Sequence, residues 1–371
     1  MASAHFRLEK TLTGHIDTVN TLSFSPDTRF LASGGDDGLI RIFGTTRYKE
    51  VRRFRTSASI TAIIWNARFP NTLIAGDRCG DIHIIRFFNS YATIYSQDHK
   101  VWLNHVAGPI HCFALKDVDL AVGFGNCVAL VKHGAPAAWH TVRTLPQPPT
   151  FPELNTSLPR PTARSLQFLP NDNVLIVAYL DHGIVAWNVS TLGLLWQIRP
   201  RGCKIGASSL SPSARSIAVT NLYDGVDWYS LKTSRFSSGG KFVNTVPVPS
   251  RENILAPICH SPDGAFVIAG GSAGAVRLIH AESVETMQIL EHGDAEIVQA
   301  VVSCQQHVMG SCCCVRGRTH IATGVSERGS ETVVRIWIEP SETASDRANS
   351  YRAWVRSQTS FRSFDFMINY R

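Results

Sequence analysis

Seven short apolar segments recur along this chain of 371 residues: IRIF at 40–43, IHII at 82–85, VALV at 128–131, IVAW at 184–187, VDWY at 226–229, VRLI at 276–279 and VRIW at 334–337. Their closing residues lie 42, 46, 56, 42, 50 and 58 positions apart, around the roughly 40 to 45 residues of a four-stranded repeat. Most follow a polar turn and an apolar strand ending in small residues, as in FSPDTRFLASGG (24–35), FLPNDNVLIVAY (168–179), LSPSARSIAVTN (210–221) and HSPDGAFVIAGG (260–271). A chain of this length ordinarily splits into two or three domains, unless repeated units share one closed surface.

Residue types argue for strands. In the first repeat Val19, Leu22, Phe24, Leu31, Ile40 and Ile42 favour extended backbone, while Pro26-Asp27 and Asp36-Asp37-Gly38 supply turns. An isolated four-stranded sheet leaves two edges open, and packing seven such sheets radially removes that hazard. The expectation is an all-β, seven-bladed β-propeller of four-stranded antiparallel blades over residues 1–340, followed by a tail at 341–371. The last repeat meets Glu339-Pro340 after Trp337-Ile338, a poor start for another paired strand. HFRLEKTL (5–12) alternates suitably and is expected to close the ring as the outer strand of the last blade, with YRAWVRSQTSF (351–361) the competing candidate.

The stretch GHIDTVNTLSFSPDTRFLASGGDDGLIRIF (14–43) resembles a repeat of the tryptophan-aspartate (WD) family of β-propellers. The resemblance implies a hydrogen-bonded chain of His, Ser or Thr, Asp and Trp inside each blade. His15, Ser33 and Asp37 match it, while Phe43 stands where Trp is expected and has no N–H to donate. Asp181 and Trp187 match in the fourth repeat, and Thr323, Glu331 and Trp337 in the seventh. The other repeats keep the strand pattern but lose the tetrad, so apolar packing is expected to hold most blades together. The resemblance further implies that turns between second and third strands share one face with the connections into the next blade. That face is expected to carry Asp17, Asp36, Arg78, Leu180, Ser272 and Arg328, together with the loop Pro146–Pro161.

Chemistry leaves few local marks. Cys312, Cys313 and Cys314 are adjacent, so on a strand they point to alternating faces, unlike the Cys-x-x-Cys pairs of structural zinc. The remaining six cysteines read as small buried residues. No His-Glu-x-x-His, Gly-x-Ser-x-Gly or complete phosphate-loop motif occurs, and no metal, cofactor or catalytic residue is assigned. The chain is 44% hydrophobic and 18% charged, no apolar run approaches roughly 18 residues, and MASAHFRLEK lacks the apolar segment of a secretory signal. An intracellular location, cytoplasmic or nuclear, is expected.

Net charge is +7, from 36 Lys and Arg against 29 Asp and Glu. The densest cluster, RYKEVRRFR (47–55), falls on an outer strand, where charge also discourages edge pairing. The tail mixes Arg347, Arg352, Arg356 and Arg362 with Tyr351, Trp354, Phe361, Phe364 and Phe366, a composition that can bind single-stranded nucleic acid or dock on the ring. The expected function is a non-catalytic scaffold that binds a protein or peptide on one propeller face. Its rivals are a ribonucleoprotein-associated propeller using residues 47–55 and the tail, and an enzyme with a central-channel site.

Overall fold

The computed structural model describes residues 5–69, 71–88, 91–95, 108–117, 119–134, 138–151, 159–170, 172–201, 204–231, 239–293, 296–306, 318–326 and 332–340. It contains seven four-stranded antiparallel sheets, and no helix among the described residues. The first blade runs through Val19–Phe24, Phe30–Gly35, Leu39–Gly44 and Lys49–Arg55. The second to sixth blades begin at Ile60–Trp65, Ile110–Lys116, Ala163–Phe168, Ile205–Leu210 and Ile258–His260. The seventh takes Ile297–Gln306, Arg318–Ser326 and Thr332–Ile338, and Arg7–His15 adds as its outer strand.

First strands of consecutive blades touch in a closed cycle, so they surround the axis. Seven apolar clusters fill the seven junctions between neighbouring blades. Small residues end the second strands because the next blade presses there. A Cβ added at Gly34 would lie 2.4 Å from Ile60 Cγ2, one at Gly76 2.4 Å from Ile110 Cγ2, and one at Gly324 2.7 Å from Val19 Cγ1.

Closure is the N-terminal one. Leu8 pairs with Trp337, Thr11 with Arg335 and Leu12 with Val334. Phe6 is buried with an edge-on contact to Phe266 at 5.4 Å, and its backbone is held both ways by Gln288: Phe6 N–H donates to Oε1 and Nε2 donates to Phe6 C=O, each at 2.8 Å. The outer strand of the third blade is Ala138–Thr144.

The histidine network links blades rather than residing within one. His15 ends the closing strand of the seventh blade, yet its Nε2 meets Ser33 Oγ at 2.7 Å and its Nδ1 meets Asp37 Oδ2 at 2.9 Å in the first. His292 repeats this one junction earlier. It follows Thr286–Glu291 of the sixth blade, and its Nε2 contacts Thr323 Oγ1 at 2.7 Å in the seventh, where the Trp337 indole N–H also donates at 3.1 Å. In the fourth blade the tetrad is not assembled, a correction to the sequence reading. Asp181 faces Lys204 at 3.8 Å, and the buried Trp187 indole N–H makes no hydrogen bond of good geometry, although the Tyr179 hydroxyl lies near enough to interact. The physical reason is that, among the described residues, no histidine bridges this junction. Glu331 lies outside the described residues.

Two outcomes test this architecture. Deleting residues 1–12 removes buried Phe6 and Leu12 and is expected to cost on the order of 3–5 kcal/mol from apolar burial, visible as a lower and broader thermal transition; an unchanged melt would refute closure by this strand. Phe43→Trp should restore the missing indole donor to Ser33 and stabilise by about 1 kcal/mol, with Trp337→Phe losing a similar amount. Chemical denaturation reads both, and a loss on Phe43→Trp would show a pocket shaped for phenylalanine.

Candidate protein-interaction face

One hydrogen bond recurs in six blades and builds a common face. The residue just past the second strand donates its N–H to a carbonyl just before the first strand: Asp36 to Thr18 at 2.9 Å, Arg78 to Ser59 at 2.9 Å, Gly125 to Pro109 at 3.0 Å, Leu180 to Thr162 at 2.9 Å, Leu222 to Lys204 at 3.3 Å and Gly270 to Pro257 at 3.0 Å. These rungs tie each turn to the connection from the preceding blade, fixing loops that would otherwise be mobile.

Six first strands carry a bulge, five of them directly below a rung. The register slips at Val19/Thr21, Ile60/Ala62, Ile110/Cys112, Ala163/Ser165, Ile205/Ala207 and Val298/Ala300. Asn20, Thr61, His111, Arg164, Gly206 and Gln299 therefore step out of the ladder at the channel mouth, a device that re-aims side chains. Three of them bridge to the next blade: Asn20 Nδ2 to Ile60 C=O at 3.0 Å, Thr61 Oγ1 to Ile110 C=O at 2.6 Å and Arg164 Nε to Gly206 C=O at 3.2 Å.

Between the fifth and sixth blades the face opens into a cleft of about 210 Å³, lined by the turn Asn221–Gly225 and the connection from Val248 to Ala256. Asn221 organises the turn. Its Oδ1 accepts the N–H groups of Tyr223, Asp224 and Gly225 at 3.1, 2.9 and 3.0 Å, and its Nδ2 donates to Asp224 and to the buried Asp227, both at 2.8 Å. Gly225 is required by close approach, since a Cβ there would stand 2.0 Å from Val246 C=O. This turn lifts Tyr223 to the lip at 81% exposure. The opposite wall is anchored by Ser272, whose Oγ accepts the Arg251 and Glu252 N–H groups, each at 2.9 Å.

Of the residues expected on this face, Arg78 is exposed, while Asp17, Asp36 and Leu180 are half-buried. Asp36 Oδ1 accepts from Asn20 Nδ2 at 2.8 Å, so it orders the mouth as well as facing solvent. Ser272 is a correction: at 4% exposure it holds the 250–252 loop from beneath instead of meeting a partner. Arg328 lies outside the described residues, as does 152–158 of the proline-rich loop. The start of that loop is docked, with Pro149 C=O accepting from Gln197 Nε2 at 3.0 Å and Phe151 under the Arg199 guanidinium at 5.5 Å. Cys79 is a second correction, being exposed on the second blade's turn; Cys112, Cys127, Cys259 and Cys304 are half-buried or buried.

Sequence reasoning missed several polar groups. Asp77 holds its blade's turn through the N–H groups of Cys79 and Asp81, both at 2.9 Å, and meets His83 Nε2 at 3.0 Å. Burial pushes the Asp77 carboxyl up, but the His83 hydrogen bond and those N–H donors outweigh it and leave the carboxyl below its usual range. Asp37 behaves alike, with His15 the main opposing influence. Asp227 goes the other way. Burial raises it despite donation from Thr245 and Asn221, and neighbouring Asp224 adds to the rise. His83 and Asp77 carried a signal, since both flank one turn; Asn221 and the bulges carried none in residue type.

Among the described residues, no group of three or more His, Cys, Asp or Glu side chains is arranged to hold a metal. A rigid ring of loops with a mixed-polarity cleft and an open channel mouth defines a propeller that can present a surface. The profile of the WD domain, G-beta repeat, matches residues 6–44, so this seven-bladed β-propeller carries a WD-type repeat in its first blade. It is similar to the ribosome biogenesis protein ERB1 of Yarrowia lipolytica, 37% identical over 76 residues, which are 19% of this chain and 9% of that protein. It is also similar to the ribosome biogenesis protein BOP1 of Rattus norvegicus, 39% identical over 61 residues, 16% of this chain and 8% of that protein. The matches thus span less than a tenth of either relative's length. The β-propeller domain of Cps50 (Swd1) from Myceliophteria thermophila has the same fold, with a TM-score of 0.66 at 13% identity over 90% of this chain and 99% of that one.

Two buried histidines at blade junctions make the scaffold acid-sensitive. Burial lowers His260 and His292 to about 4. A histidine depressed in the folded state contributes stability that is complete above its unfolded pKa of about 6.5 and is lost as pH falls through the folded value. The thermal midpoint should therefore drop between pH 6.5 and 4, with at most about 3 kcal/mol from each histidine. The double variant His260→Gln, His292→Gln should be less stable at pH 7 but flatter across that window. An equally steep profile in the variant would remove these two residues as the cause.

Proposed function

We propose that this propeller is a non-catalytic scaffold whose cleft-bearing face binds a protein partner. The observation that carries this reading is the face itself: loops tied down by repeated backbone rungs, with Tyr223 raised at the lip of a cleft whose walls are fixed from below. Aromatic side chains on a preorganised surface bind at low entropic cost. Four titratable groups with shifted values fit the same reading. Asp227 and Tyr229 are bound into one network, His260 is held by Ser209, and His292 by Thr323, so each is engaged in internal hydrogen bonds. Mixed charge around the cleft, with Asp224 and Glu252 beside Arg251, suits a peptide better than a duplex.

A second reading has its own support. The two relatives carry ribosome biogenesis in their names, and the outer strand Lys49–Arg55 exposes Arg53 and Arg55 on the rim. On this reading the partner belongs to a ribonucleoprotein particle and the chain works in the nucleus or nucleolus, with the rim adding electrostatic attraction to RNA.

Affinity purification of the full chain, with and without ribonuclease, separates the two. Recovery of a ribonuclease-resistant protein partner is expected, and the double variant Arg78→Ala, Tyr223→Ala should weaken it at least ten-fold with an unchanged melting temperature, since exposed turn side chains add little stability. Release by neutralising Arg52, Arg53 and Arg55 instead, or recovery of RNA alone, would move recognition to the rim.

A further inference from the structure

Three arginines set into the described structure, Arg41, Arg164 and Arg335, do not behave alike. Arg41 is answered by Glu50 and by Gly14 C=O, and Arg335 makes a two-pronged pair with Glu296, one arm at 2.8 Å. Both are internal ion pairs. Arg164 has no carboxylate among the described residues. Its Nε is used up in the bridge to Gly206 C=O at 3.2 Å. The two Nη groups make no hydrogen bond to the described residues and are not sealed from solvent among them. Burial nonetheless depresses its guanidinium pKa, a sign that the cation is poorly hydrated where it stands.

Its position explains the exposure of the fork. Arg164 is the bulged residue of the fourth blade, as His111 is of the third, so both stand at the channel mouth on the cleft-bearing face. Burial lowers the His111 imidazole, and the nearby Arg164 cation lowers it further. Asn20 and Thr61, at the equivalent positions, end in the bridging contact itself. Arg164 makes that bridge with its inner nitrogen and still has a planar pair of donors to spare.

We propose, resting on the protein-binding reading above, that Arg164 receives a side-chain carboxylate from an acidic segment of the partner, with His111 flanking it. A guanidinium fork and a carboxylate match in two parallel charge-assisted hydrogen bonds, and a half-dry site strengthens them. The isolation of the fork selects a single carboxylate over a nucleic acid, because a phosphodiester strand is held by several cations in sequence. On this face Asp36 and Asp224 are turn residues close to the rungs, so a polyanion would meet acid there.

The test uses the full chain and two capped peptides, one of alternating glutamate and glycine, the other with glutamine in place of glutamate. Binding is read by calorimetry and by the His111 ring signals in NMR. The glutamate peptide should bind and raise the His111 pKa, the glutamine peptide should do neither, and Arg164→Gln should weaken the first at least ten-fold while Arg164→Lys retains part of it. In peptide-free Arg164→Gln the His111 pKa should already be higher, which reports the lost cation without depending on any ligand. Equal binding to both peptides, equal binding by Arg164→Gln, or no binding by the wild-type chain would overturn the proposal. Binding of inorganic phosphate or of a uridine oligonucleotide at His111, without the peptide, would also overturn it by assigning the fork to phosphate. The cellular partner separates this from the broader reading: if Arg164→Gln retains that partner fully, the carboxylate site is wrong while the protein-binding face stands, whereas no protein partner for the wild-type chain removes the face itself.

Discussion

The pairing of Arg7–His15 with Thr332–Ile338 is the contact on which the rest of the ring depends. It joins the two ends of a cyclic stack in which each sheet packs on its two neighbours, and it covers the outer edge of Thr332–Ile338 that would otherwise stay open. The closing strand also does a second job. It ends at His15, whose ring reaches Ser33 and Asp37 of the first blade, while Thr18 Oγ1 meets Ser326 Oγ at 2.9 Å and Thr332 Oγ1 donates to Asp17 C=O at 2.5 Å. Strand addition and side-chain bonding therefore fasten the same seam. The Tyr48 hydroxyl to His320 Nδ1 contact, at 2.5 Å, adds a third tie between those blades.

Away from that seam, apolar interdigitation carries the junctions. The cluster between the fourth and fifth blades, built on Ile176, Ile184, Ile205 and Ile217, has no histidine tetrad, and neither does that between the third and fourth, built on Leu130, Leu166 and Leu175. A tetrad is thus one way to stitch a junction already held by burial, which is why the chain tolerates its loss in several blades. Where polar groups remain buried, they are mostly satisfied: Asp227 has three donors, and Asp77 three. Buried networks of this kind stabilise only when nearly complete.

The architecture was legible because period-two alternation and turn residues recur at intervals of 42 to 58 residues, and each strand repeats the signal independently. The closing strand was legible for the same reason, from Phe6, Leu8 and Leu12. The tetrads were legible only where residue order matched the family pattern. His292 precedes Gly293 instead of following a glycine, so the network of the seventh blade was read from Thr323, Glu331 and Trp337 without its histidine. Trp187 and Asp181 matched the pattern in spacing but lacked a histidine to connect them. Ser272 occupied the right turn, yet its burial depends on the 250–252 loop folding over it, which no local pattern states.

The channel-mouth residues show what strand periodicity leaves out. By alternation alone, Arg164 on Ala163–Phe168 would be one more side chain on a sheet face between blades, where a cation would need an internal acid as Arg41 and Arg335 have. The bulge between Ala163 and Ser165 removes it from that alternation, and the neighbouring blades do the same to Asn20, Thr61, His111 and Gln299. One backbone irregularity, repeated in six blades, thereby converts the start of the inner strand from packing surface into a position open to chemistry. The rungs immediately above hold the turns in place, so those side chains are displayed by rigid backbone while the loops around them remain free to differ from blade to blade. Residue identity at the bulge then decides the local character of the mouth: amide at Asn20 and Gln299, hydroxyl at Thr61, and the only adjacent pair of basic groups at His111 and Arg164.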